Sequence, residues 1–252
     1  MDCEELNKGT SFTLFLSLAV TFGTVASYLP QHYRIIQLKS SAGLSPLYML
    51  LGGISSFSTV VNSLILHAPT FHCMGHVSLG CFLNGIIPLV QVTSQWLCFF
   101  LIVVLCIVYF PPEQKEENEG EAWAQAKRCC AALSVYMGAS LILALLLMPT
   151  SRAQVFARVL GILAVVVSVI QFVPQIWRTM HLRQVGALSI PAMCIQAPGS
   201  FVFCLAIALT PKSDWSTWLP YFVGGCLQGT LLVLCLRYRN IPHPPLILLE
   251  SN

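Results

Sequence analysis

The chain has too little charge to be a soluble protein. Of its 252 residues only 9% are Asp, Glu, Lys or Arg, while 56% are hydrophobic; a soluble domain carries roughly a quarter charged residues. With a mean hydropathy of +0.75, an integral membrane protein is the class that remains. The net charge of +3 is too small to argue for a nucleic-acid partner. No Asp or Glu falls well inside a predicted span, and Asp214, at the entrance to the last one, comes nearest. No nucleophile elbow, Walker loop or paired-carboxylate motif occurs, so neither an enzyme nor a cofactor is expected. His72 and His76 flank Cys73 at helical spacing but lack a fourth ligand, so no metal site is expected. With His67 they read as loop histidines near headgroups, placed to sense an acidic compartment. No Asn-x-Ser/Thr acceptor is present. Most of the eleven cysteines (Cys98, Cys106, Cys194, Cys204, Cys226 and Cys235 among them) lie in apolar runs, where cysteine is a small apolar side chain. Only Cys73 and Cys81 are placed to pair outside a bilayer, and the favoured reading leaves them reduced.

Long apolar runs are what the chain has instead. A spanning helix needs about 20 largely apolar residues. Seven candidates run from Ser11 to Leu29, Pro46 to Leu66, Gly85 to Phe110 with a kink at Pro88, Cys130 to Met148, Arg158 to Val173, Ser189 to Leu209, and Trp215 to Leu236. Asp2, Glu4 and Glu5 are wrong for the basic start of a signal peptide, so the first run is kept as a span. Residues 71–92 are apolar enough to be an eighth, but the next run follows almost without a turn, and one long kinked helix is the better reading. Arg34, Lys39, Lys115, Lys127, Arg128, Arg178, Arg183, Arg237 and Arg239 then share one side, which the positive-inside rule makes cytosolic. The amino terminus is expected outside or lumenal and the carboxyl terminus in the cytosol.

One segment occurs twice. Tyr28-Leu29-Pro30-Gln31, followed by Arg34, Leu38, Lys39, Leu44 and Ser45, matches Phe172-Val173-Pro174-Gln175, followed by Arg178, Leu182, Arg183, Leu188 and Ser189. The copies are ungapped at an offset of about 144 residues. Each lies near the cytosolic end of a span. With seven spans the copies share one orientation, which gives parallel repeats. The fold class expected is therefore all-α and membranous, two three-helix bundles joined by a linker helix. In residues, 1–110 form the first bundle, 111–150 an acidic cytosolic loop and the linker helix, 151–240 the second bundle, and 241–252 a cytosolic tail.

These two motifs, each at a helix end, resemble the signature of PQ-loop repeat proteins. The run from Ser27 to Arg34, with Gln95-Trp96 and Phe110-Pro111-Pro112, looks most like the fungal branch. The family includes lysosomal and vacuolar amino-acid exporters and is related to the SWEET sugar carriers. The resemblance implies a small-solute carrier, of an amino acid, in a vacuolar or lysosome-like membrane. Proton-coupled members use a membrane carboxylate, which this chain lacks. Two alternatives stand beside it. One is a receptor or scaffold that recruits a cytosolic partner through the acidic loop or the tail. The other is a sugar uniporter using Trp96 or Trp177.

Pro30 and Pro174 each free a carbonyl and bend their helix, which suits a paired hinge with Gln31 and Gln175 as neighbouring donors. Arg34 and Arg178, one turn on, are either headgroup anchors or gate contacts. Buried polar side chains are costly in a membrane. Asn62, Gln91, Gln95, Gln171 and Gln228 are therefore the substrate-binding candidates, with interhelical hydrogen bonding as the alternative for each. Ser55, Ser58 and Thr59 share the helical face of Asn62. Gly52, Gly53, Gly199, Gly224, Gly225 and Gly229 are expected to permit close helix packing.

Overall fold

Each apolar run folds as an α-helix, and several continue beyond their apolar core. The computed structural model describes residues 11–41, 45–110, 120–183, 190–211 and 213–239. Among these are seven α-helices and no strand: α1 (Ser11–Leu38), α2 (Pro46–His67), α3 (Leu79–Val108), α4 (Glu121–Leu147), α5 (Ala153–Leu182), α6 (Ile190–Ala208) and α7 (Trp215–Tyr238). Six are long and apolar enough to cross a membrane, and α6 contributes the shorter apolar stretch Met193–Ala208. A 3-10 segment, Ala68–Cys73, follows α2, and α3 then runs for 30 residues with Pro88 inside it. Residues 71–92 are thus a lead-in and the first half of one helix, not an eighth span.

The helix ends are set locally. The Ser45 hydroxyl caps α2 with Pro46 at its first position, and Ser78 caps α3. Asp214 caps α7, accepting from Ser216 N at 3.0 Å. The two motif-bearing helices stop at repeat-related positions, each followed by a left-handed non-glycine residue: Lys39 (φ 46°) after α1 and Arg183 (φ 50°) after α5. Both are basic, the sign that suits a helix C-terminus.

Packing repeats as well. In the first half α3 lies between α1 and α2, and in the second α7 lies between α5 and α6. The halves meet along α2–α5 and, by the same pseudo-symmetry, more lightly along α1–α6. The linker α4 packs outside on α2: Tyr136 OH and Ser58 Oγ lie 2.6 Å apart, and Leu133 sits where a Cβ on Gly53 would meet it at 2.7 Å.

The apolar core is asymmetric along the membrane normal. On the side where α1, α3, α5 and α7 begin, Val92, Phe203 and Ile207 pack with Val20, Val60, Trp218 and Tyr221 across both halves. At the motif end the clusters separate. Ile35, Met49, Ile102, Val103, Leu105 and Leu133 hold the first half to the linker, while Met193, Leu231 and Cys235 pack with Phe172 and Ile176 in the second. Among the described residues, apolar packing therefore joins the halves on one face, while the buried apolar clusters at the motif end each stay within one half or its linker.

Two expectations are corrected. Cys73 is disulfide-bonded while Cys81 is a free thiol, so Cys73 is not reduced and the pair Cys73–Cys81 does not form. Of the glycines expected at tight crossings, Gly52, Gly53 and Gly225 are there, but Gly199, Gly224 and Gly229 face open space. One crossing against backbone is one the sequence did not mark: a Cβ on Gly161 would lie 2.5 Å from Ser216 O, where α5 crosses α7.

Candidate functional site

A cavity of about 150 Å³ lies between the halves, lined by six helices and not by the linker. α2 supplies the most polar wall, because Ser55 and Thr59 are four residues apart and share a face. Ser55 Oγ contacts Ser168 Oγ at 3.1 Å and donates to Ala164 O at 3.0 Å, tying α2 to α5. Opposite, Ser200 Oγ on α6 donates to Gln228 Oε1 on α7 at 3.2 Å. Gln171 Nε2 reaches Tyr48 O at 3.5 Å across the α2–α5 seam. Gln95 completes the amides, with its Oε1 buried and unpartnered. The rings of Tyr28, Tyr48, Phe99, Phe172 and Tyr221 frame these groups. Among the described residues, no Asp, Glu, Lys, Arg or His lines the cavity. Such a lining can hydrogen-bond and stack against a solute but offers a net ion no counter-charge.

Three of the five substrate-binding candidates, Gln95, Gln171 and Gln228, are brought together here. Asn62 and Gln91 are not. Asn62 is fully buried on the sealed side. Its Nδ2 donates to Ala157 O (2.7 Å) and Ser216 Oγ (2.8 Å), and its Oδ1 accepts from Thr217 Oγ1 (2.9 Å). One side chain of α2 thus binds α5 and α7. Gln91, also fully buried, donates from Nε2 to Ser17 O at 3.3 Å between α3 and α1. Ser58 turns away to Tyr136. Pro30 and Pro174 lie inside α1 and α5 and are exposed, with Gln31 and Gln175 half-buried beside them. Arg34 is exposed, and the Arg178 side chain lies outside the described residues. Trp96 is stacked on Phe100 at 5.4 Å and Trp177 is 69% exposed, so neither lines the cavity.

Sequence reasoning missed the tyrosines. A signal was present, because Tyr28 and Phe172 open the two copies of the repeated motif and line the cavity from opposite halves.

Beyond the seal, Asp214 accepts from Arg158 Nη2 at 3.1 Å and from Ser216 Oγ at 2.8 Å. Partial burial pushes its carboxyl up, but the Ser216 and Arg158 donors outweigh this and hold it below the usual carboxylate range.

Residues 12–72 and 156–216 both match the family model described as PQ loop repeat. These are the two motif regions, at the offset the sequence showed. The chain belongs to the PQ-loop repeat family. An uncharacterized protein of Schizosaccharomyces pombe is 32% identical over 251 residues, covering 92% of this chain and 82% of its own length. Among solved structures, a eukaryotic SWEET transporter superposes with a TM-score of 0.53 at 12% identity, covering 91% of this chain and 99% of that one. At that identity the likeness is one of fold. It agrees with a PQ-loop protein built of two three-helix halves and a linker.

Proposed function

We propose that this PQ-loop protein is a membrane carrier of a small polar solute without net charge, a neutral amino acid. The observation that carries the reading is the cavity: amides and hydroxyls from both repeat halves, no charged group among the described lining residues, and an apolar seal across both halves on one face. A receptor or scaffold needs no such shared polar chamber. Transport then proceeds by rocking of the halves about the chamber, with Pro30 and Pro174 as hinges. The Lys and Arg distribution supports a cytosolic motif side with the amino terminus on the opposite face, and the family resemblance supports a vacuolar or lysosome-like membrane. With no carboxylate among the described residues that line the cavity, the reading favours uniport over proton coupling.

A second reading, a sugar uniporter, is favoured by the five aromatic rings around the cavity, since flat ring faces suit sugar stacking. Thermal-shift measurements on the purified protein with an amino-acid and sugar panel separate the two. Stabilisation by neutral amino acids, weakened in Gln228→Leu, supports the first reading. Stabilisation by sugars alone supports the second. No response from a folded sample to any solute contradicts the carrier.

A further inference from the structure

We propose that Cys129 and Cys130 form an S-acylation site that takes a long-chain fatty acyl group from acyl-CoA. The argument begins with depth. On α4, exposed Lys127 and Arg128 immediately precede the two cysteines. Trp123 packs at 5.0 Å against Phe110, and Lys127 Nζ lies 5.5 Å over its ring. A tryptophan beside basic side chains marks the headgroup level. From Cys129 to Met148 the helix carries no charged residue for about 20 positions, or ~30 Å, which matches the hydrocarbon thickness. The two thiols therefore stand at the water-facing edge of the hydrocarbon, where a headgroup-level donor reaches them and an attached chain enters lipid at once.

The surroundings fit. Both thiols are free and half-buried, neither sealed in the core nor fully in water. Both line a small apolar cleft between α2, α3 and α4, walled by Met49, Val103, Ile107 and Leu133. Exposed Ala131, Ala132 and Val135 continue an apolar track along α4. The first methylenes of an acyl chain have the cleft on one side and this track below. In the reaction the cysteine sulfur attacks the thioester carbonyl carbon of acyl-CoA. A new C–S bond forms, the old one breaks, and CoA leaves as its thiol with the proton from cysteine, so nothing is oxidised or reduced. Juxtamembrane thiols of this kind are substrates of reversible S-acylation. Cys226 is equally free and is exposed, but it lies mid-way along α7, out of reach of such a donor.

The site is independent of the solute carried, and rests on the motif side facing the cytosol. The test is fatty-acid alkyne labelling of the full chain in yeast, with hydroxylamine release and a protease-protection assay on a carboxyl-terminal tag. Label is expected on the wild type and on Cys226→Ala, and is expected to fall at least fivefold in the Cys129→Ala/Cys130→Ala double variant. Equal folding of the variants is checked by detergent gel filtration. An accessible tag with no releasable label, or with label unchanged in the double variant, overturns the acylation site. A protected tag overturns the orientation it rests on, and the site with it.

Discussion

Asn62 uses its whole amide on three neighbours in two helices of the other half. Interhelical hydrogen bonds in membranes are worth about 0.6–2 kcal/mol each. Asn62→Ala is therefore expected to lower stability by about 2–3 kcal/mol while leaving the KM of transport within twofold. Thermal unfolding in detergent and uptake kinetics check this. Gln228 behaves oppositely, because it lies on the cavity wall with one hydroxyl partner. Gln228→Leu should retain the fold and raise KM up to about tenfold, the worth of one good hydrogen bond. Both residues read alike in the sequence, as buried amides in spans. What separates them is which helix each faces, and that is fixed only by packing. Asp214 gives a pH expectation. Its folded pKa is depressed, so its contribution is present above the ordinary carboxylate value and is lost only as pH falls through the lower folded one. Asp214→Asn should lower the melting temperature by the same amount at pH 7 and pH 5. A difference that vanishes at pH 5 would contradict this assignment. Arg158 is 47% exposed, so solvent screens the pair and its worth is small.

At the scale of elements, helix existence and order were legible because apolar runs of spanning length have few alternative fates. Boundaries were less so. α1 and α5 run on past Pro30 and Pro174 to Leu38 and Leu182, because the polar turns beyond each proline keep helical geometry until a left-handed residue stops them. The α5–α7 crossing was illegible, since Gly161 sits in an apolar run with no motif around it. Gly161→Leu should destabilise the protein by about 1–3 kcal/mol, the usual penalty of overpacking; a neutral effect on detergent unfolding would show that the crossing is looser than described. For the motif helices, Pro174→Ala restores a backbone N–H and stiffens α5. If α5 is a hinge, turnover should fall several-fold with KM little changed, and an unchanged rate would remove the hinge.

At the scale of the molecule, the repeated motif foretold two halves, and the halves build the cavity. The sequence could not show the seal between the halves, because it depends on residues far apart in the chain: Val20, Val92, Phe203 and Ile207 become neighbours only once the halves dock. The motif side has separate clusters in each half, so closing it means bringing α1 toward α6, the lighter of the two inter-half seams. The most direct measurement is solute uptake into proteoliposomes, with amino acids and sugars offered separately, by the wild type and by Gln228→Leu. Saturable uptake by the wild type that weakens in the variant is the expected result. Absence of uptake of every solute by folded, correctly inserted protein would contradict the carrier.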